Sequence, residues 1–232
     1  AVTRLNALIE KCFDAYNDYA FNAVTHAVND FCVVELSNFY LDIIKDRLYC
    51  DDGLARRSAQ TALWLILDTM TRIFAPILAF TCDEIWLSMP HRAEDDGRNV
   101  LLNQMNKPFT DYALDDAAMA KWARIIAVRD SVNGALEAAR AAKTIGKGLE
   151  AAVALTVPAE DAFLAEMDRD ALADLLIVSQ VAVTVGDALA VEVAPAQGAK
   201  CERCWKVLTT VGQDQAHPTL CPRCAKAVAR LD

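Results

Sequence analysis

Residues 143–158 read KTIGKGLEAAVALTVP, and the fold turns on them. Gly146 and Gly148 punctuate the end of a helix, and AAVALTV (151–157) reads as a buried strand. Upstream the apolar residues keep helical spacing; downstream strand and helix patterns mix. This stretch therefore divides a helical region from a small α/β unit.

Working back from it, Asp115 or Asp116 can cap a long helix whose apolar stripe runs Ile125, Val128, Val132, Leu136 and Ala139. A polar, proline-containing stretch from Pro90 to Tyr112 precedes it. In SAQTALWLILDTMTRIFAPI (58–77) the residues Leu63, Ile66, Leu67, Met70, Ile73, Phe74 and Ile77 mark one helix face. Pro76 kinks or breaks that helix. Thr81 and Glu84 then stand in capping-box register before Ile85 and Trp86. RLNALIEKCFDAYNDY (4–19) and VVELSNFYLDIIKDRLY (33–49) are both amphipathic. Several helices with mostly short links predict a bundle.

Working forward, VPAEDAFLAEM starts a short helix after Pro158. LLIVSQVAVTVGDALAVEVAP (175–195) gives two strands joined by a turn at Gly186-Asp187, and AQGA (196–199) links them to the cysteine-rich end of the chain. The expected organisation is mainly α: a helical bundle over 1–142, a small α/β junction unit over 143–197, and a cysteine module over 198–232.

That module carries two CxxC pairs, Cys201/Cys204 and Cys221/Cys224, with 16 residues between Cys204 and Cys221. Each pair puts two sulfurs on one tight turn, and the hairpin-length insert lets the second turn complete a tetrahedron. Soft thiolates with no open coordination position point to one structural Zn²⁺ and away from Lewis-acid catalysis. A Cys₄ iron centre is the rival occupant. His217, before Pro218, is expected to be a surface turn residue. Cys12, Cys32, Cys50 and Cys82 are scattered singly and read as buried core thiols of a protein kept in a reducing cytosol.

The chain is acidic overall, with formal net charge −9. Residues 1–142 and 143–199 carry −6 each, whereas residues 200–232 carry +3, so positive charge gathers at the cysteines. Arg203, Lys206 and Arg223 lie in or beside the CxxC turns, Lys200 and Lys226 flank them, and Trp205 follows a ligand. Such a cationic edge suits phosphates, and an exposed indole suits an unpaired base. The alternative is that the cations keep the knob in solution while Trp205 packs on the ribbon. No apolar run reaches the roughly 18 residues of a membrane span. The N-terminus reads as amphipathic helix and not as a signal peptide. The first residue is Ala, so we expect a piece of a longer protein.

FYLDIIKDRLYCD, RRSAQTALW, APILAFTCDEIW, KTIGKGLEA and CERCW…HPTLCPRC occur in that order. Together they resemble the C-terminal part of bacterial-type isoleucyl-tRNA synthetases, with KTIGKGLEA joined to the Cys₄ module singling out the isoleucine family. The resemblance implies that 1–142 is the anticodon-binding helical domain and that the ribbon also reaches the anticodon end of isoleucine tRNA. HIGH-type and KMSKS-type ATP-binding signatures are not found, nor is an editing domain. The chain is thus expected to be inactive alone. Its implied partners are the anticodon stem-loop and the catalytic and editing domains of a cytoplasmic, ATP-dependent isoleucine–tRNA ligase, with no membrane.

Candidate backbone contacts are Lys45, Arg47, Arg56 and Arg57, equally readable as surface charges paired with Asp42, Asp46, Asp51 or Asp52, together with Lys143 and Lys147 beside the glycines. Two rivals remain: a ribbon with a purely structural role, and one gripping another nucleic acid, as in DNA glycosylases of similar cysteine spacing. The chain begins AVTRLN, without the catalytic N-terminal proline and its accompanying acid that those enzymes need. No catalytic residue is assigned: the Asp pairs 51–52, 95–96 and 115–116 fall at turns and helix starts, where Asp serves as a cap.

Overall fold

The computed structural model describes residues 1–51 and 53–230 and is mainly α. Asp52 and the last two residues of the cysteine module lie outside the described residues. Packing forms two compact units, Ala1–Ile44 with Gly53–Leu114, and Lys45–Asp52 with Asp115–Asp232.

In the first unit, α1 (Val2–Asn17) and α2 (Phe21–Asp30) form a pair, and α2 runs on through a wider π-helical stretch, Phe31–Tyr40, into the short α3 (Leu41–Ile43). The short α4 (Lys45–Cys50) belongs to the second unit. Next come α5 (Leu54–Phe74) and α6 (Ala79–Ser88). Leu5, Leu8, Ile9 and Cys12 of α1 bury against Val24, Val28 and Phe31 and against Leu65, Ile66 and Ile73 of α5. The α5 break falls where Pro76 predicts it, since proline has no N–H to continue the ladder. The Thr81/Glu84 capping box does not form. Helix α6 begins two residues before Thr81, with Leu78 at its N-cap and no side-chain cap.

The loop after α6 is pinned by polar groups. Asn6 donates to the Phe109 carbonyl at 3.1 Å and accepts from Phe109 N at 2.7 Å. The fully buried Asp68 accepts from Arg72 Nε at 2.8 Å, Arg92 Nη2 at 3.2 Å and Asn106 Nδ2 at 2.6 Å. Arg72 also meets Asp95 at 2.7 Å and lies over the Trp86 ring.

The second unit is built on α7 (Asp116–Ala141), capped by Asp115 Oδ1 accepting from Ala118 N at 2.7 Å. Ile125, Val128, Val132 and Leu136 are buried as the stripe predicts, with Ala139 partly buried. They pack with the sheet core, so α7 belongs to this compact unit. Strand β1 (Ala151–Val157) is followed by α8 (Phe163–Glu166) and α9 (Arg169–Leu176), then β2 (Gln180–Val185) and β3 (Ala190–Pro195).

The two strands joined at Gly186 are not neighbours. The sheet order is β2-β1-β3, with β1 parallel to β2 and antiparallel to β3. The most apolar strand takes the centre, burying Ala151, Val153, Leu155 and Val157, while β2 and β3 carry their polar residues on the edges. Leu175 and Leu176, expected from the sequence to start a strand, instead end α9, whose N-terminus Asp168 caps by accepting from Ala171 N at 2.9 Å. The AQGA linker ends inside a ribbon: β4 (Ala199–Lys200) pairs antiparallel with β5 (Val207–Leu208). The closing element is α10 (Pro222–Val228).

Candidate metal centre and nucleic-acid face

The β4–β5 ribbon carries Cys201 and Cys204 in its connecting turn, and α10 carries Cys221 at its N-cap and Cys224 in its first turn. Proline at the first position of α10 fits there because its missing N–H has no intrahelical partner to lose. Gly198 makes the approach possible: its φ is +116°, and a Cβ there would stand 2.3 Å from the Leu208 carbonyl.

The four sulfurs all lie within 4.8 Å of one another. Cys201, Cys221 and Cys224 are buried and Cys204 is half-buried. Cys204 and Cys221 approach to 3.9 Å, and Cys221 N donates to Cys201 Sγ at 3.3 Å. Hydrogen bonding with Cys224, reinforced by burial, raises the Cys204 thiol above its ordinary range, and burial does the same to Cys221. Four thiols this close do not ionise together without a cation among them. The donor set thus fits a soft divalent ion with a closed shell, whose contribution is to hold the two turns together. His217 stays outside the cluster, its N donating to Asp214 Oδ1 at 3.1 Å in a turn.

The cations around the cysteines divide into two groups. Lys206 is buried and ion-paired with Asp174 of α9. Arg223 pairs with Asp46 of α4, Nη2 to Oδ1 at 2.8 Å, and Arg203 Nη2 donates to the Tyr49 carbonyl at 2.7 Å. These three are held by the fold. Lys143, Lys147 and Lys200 gather at the 143–150 loop, where Glu150 Oε2 accepts from Gly146 N at 2.9 Å and Lys147 N at 3.1 Å. Lys147 Nζ stands 5.8 Å from the ring centroid of Trp205, and Lys200 faces Glu150. Lys143 opens the loop in the left-handed region, at φ +58°.

Trp205 is 57% exposed and sits at φ +64°, its N donating to the Cys201 carbonyl at 2.9 Å. Left-handed backbone is costly for a bulky residue. Of the remaining candidates, Lys45 and Arg47 are exposed on α4, and Arg56 and Arg57 are exposed in the first turn of α5 in the first unit.

The spacing did not point to α4 as a neighbour of the cysteine module. Asp46, Tyr49 and Cys50 all touch it, and no local pattern in residues 45–50 signals a partner more than 150 residues away. Cys12 and Cys82 are core thiols as read, whereas Cys32 is half-buried and Cys50 packs with the module's own cysteines.

Residues 1–155 match the family described as the anticodon-binding domain of tRNA ligase, and residues 198–227 match the zinc finger found in FPG and IleRS. Similar proteins include the isoleucine–tRNA ligases of Caldicellulosiruptor saccharolyticus, 42% identical over 98% of this chain and 25% of the relative, and of Geobacter sulfurreducens, 44% identical over 98% and 26%. That of Geobacillus thermodenitrificans is 46% identical over 98% and 26%. The chain thus spans about a quarter of the length of the curated relatives it matches. Among the described residues no helix is long and apolar enough to cross a membrane. The zinc-finger match and the four convergent thiols give the module one structural zinc. The chain belongs to the family of anticodon-binding domains of tRNA ligases, and it carries the FPG and IleRS type of zinc finger at its C-terminal end.

Proposed function

We propose that this chain is the anticodon-end binding region of an isoleucine–tRNA ligase, docking isoleucine tRNA so that the acceptor end reaches catalytic and editing domains of the same cytoplasmic enzyme. Cys201, Cys204, Cys221 and Cys224 hold the zinc, and the ordered ribbon presents Trp205. The indole stacks on an unpaired anticodon base while Lys147, Lys200 and Lys143 meet the adjoining phosphates. Lys45, Arg47, Arg56 and Arg57 are further backbone contacts. Arg56 and Arg57 stand at a helix N-terminus, where the macrodipole disfavours cations, which suits a role in meeting an anion. The chain alone neither activates isoleucine nor edits.

One observation carries this reading: a tryptophan kept exposed in a left-handed turn beside a lysine, on a metal-ordered ribbon. A second reading, a ribbon that is scaffolding only, draws on the internal engagement of Lys206, Arg203 and Arg223. Fluorescence anisotropy of the zinc-loaded chain with labelled anticodon stem-loops from isoleucine and valine tRNA separates the two. A clear preference for the isoleucine loop supports the proposal, and equal or absent binding to both leaves the ribbon as scaffolding.

A further inference from the structure

Ser179, the residue before β2, is 4% exposed, and its hydroxyl bridges two backbone segments. It donates to the Leu149 carbonyl at 2.5 Å and accepts from Val207 N at 2.7 Å. The direction is fixed, since a carbonyl only accepts and an N–H only donates. Leu149 stands two residues after Lys147, and Val207 two residues after Trp205. Both paths are short and stiff. Glu150 Oε2 closes the loop around Lys147 by accepting from Gly146 N and Lys147 N, at 2.9 and 3.1 Å. The turn around Trp205 is closed by Cys201 N donating to the Lys206 carbonyl and Trp205 N to the Cys201 carbonyl, each at 2.9 Å. Ser179 N donates in turn to the Ala151 carbonyl at 3.1 Å, which anchors the residue to the central strand.

A contact made of a stacked base and a neighbouring phosphate needs its ring and its cation at a set separation, and a face preorganised that way loses less freedom on binding. The direct contact of Lys147 with Trp205, 5.8 Å from ammonium to ring centroid, lies at an exposed edge and is weak. The ion pair of Lys206 with Asp174 ties the ribbon to α9 rather than to the loop. We infer that Ser179 is a positioning residue for the nucleic-acid face: its hydroxyl sets the register between the Lys147 loop and the Trp205 turn, so that one nucleotide meets indole and ammonium together. The inference rests on the RNA contact proposed for Lys147 and Trp205.

The test uses the zinc-loaded chain and the labelled isoleucine anticodon stem-loop, with affinity measured across a salt series while zinc content and thermal unfolding are followed in parallel. Ser179→Ala removes the bridge. The log–log salt slope flattens by about 0.7–1, as it does on losing Lys147 itself, and Lys147→Ala then adds no further change. Ser179→Thr keeps the hydroxyl and restores both the slope and its sensitivity to Lys147→Ala. A serine that only stabilises the fold lowers the unfolding temperature when replaced, but leaves the slope and the effect of Lys147→Ala as in the unsubstituted chain. That result overturns the inference, as does a folded Ser179→Thr that binds like the alanine variant. If the Ser179 variants fail to fold, changes made with Ser179 in place decide. With the register set by Ser179 neither contact depends on the other, so the fold-losses of Lys147→Ala and Trp205→Gly multiply in the double variant. A double variant that loses no more than Trp205→Gly alone would trace the register to the lysine–indole contact and overturn the inference. If both single changes leave affinity and slope untouched, the face itself is removed, and the role of Ser179 goes with it.

Discussion

Replacing Trp205 by glycine separates what the ring does for the fold from what it does for a ligand. A non-glycine residue in the left-handed region costs roughly 1–2 kcal/mol, and Trp205 sits there at φ +64°. Glycine removes that strain but adds about 0.5–1 kcal/mol of backbone entropy to lose on folding. The substitution also forfeits the Lys147 contact, worth about 0.5–1 kcal/mol at an exposed site. These terms nearly cancel, so the ribbon's stability and its zinc content are expected to stay within about 1 kcal/mol of wild type. Binding is expected to behave differently. Stacking contributes about 1–3 kcal/mol per base, so affinity for the isoleucine anticodon stem-loop falls roughly 5- to 160-fold. The assay pairs zinc-dependent thermal unfolding with fluorescence anisotropy at one fixed salt concentration. Unchanged affinity would refute stacking by Trp205. A loss of stability above about 2 kcal/mol would show that the ring is packing that the exposed indole conceals.

In the first unit, Asp68→Ala takes the shared buried acceptor from Arg72, Arg92 and Asn106 and should cost about 3–5 kcal/mol by denaturant unfolding. The acid limb of that unit's stability should track Asp95, whose carboxyl is lowered because hydrogen bonds from Arg72 and the Arg92 backbone outweigh the opposing effect of burial. Its contribution is present above the unfolded carboxylate pKa near 3.9 and is lost as pH falls below it, a change that Asp95→Asn abolishes in acid titrations followed by circular dichroism. The alkaline limb is set by burial of Cys12, pushed up to about 11, and of Tyr16, pushed up to about 12. Both favour the fold below their unfolded values of 9.0 and 10.0, and that support disappears as pH climbs through the raised ones. Tyr16→Phe should shorten this alkaline loss. RNA affinity should fall with salt, and Lys147→Ala and Lys200→Ala should each flatten the log–log slope by about 0.7–1; an unchanged slope would take that lysine off the phosphates.

The parts of this fold that are legible in the sequence are those whose cause is local. The two CxxC turns, the strand at 151–157, the Asp115 cap and the break at Pro76 each rest on a few consecutive residues, and each forms where the spacing places it. Thr81 and Glu84 match a local pattern as well, but α6 is already under way at Ala79, so the pattern falls inside the helix. Leu175 and Leu176 run straight into apolar strand residues, which hides the helix they end. Its real signal is the cap at Asp168, set back from the apolar run. The candidate contacts divide along the same line. Nothing near Lys206 announces Asp174 as its partner, and nothing near Arg223 announces Asp46. The CxxC turns assemble from their own residues, whereas α4 comes to them from the other end of the chain.

That last connection sets a clock. Residues 53–114 are threaded as an insertion between two pieces of the second unit, and the piece at 45–50 meets its partners across 154 residues, for Tyr49 with Arg203, and 177 residues, for Asp46 with Arg223. Closing the longer span rather than a 20-residue loop costs only roughly 2 kcal/mol more, so equilibrium hardly registers the distance. Synthesis does. At about 5–20 residues per second, α4 emerges from the ribosome on the order of 10–35 s before the turns that bury Cys50. During that interval the nascent chain carries a helix whose partners have not yet been made.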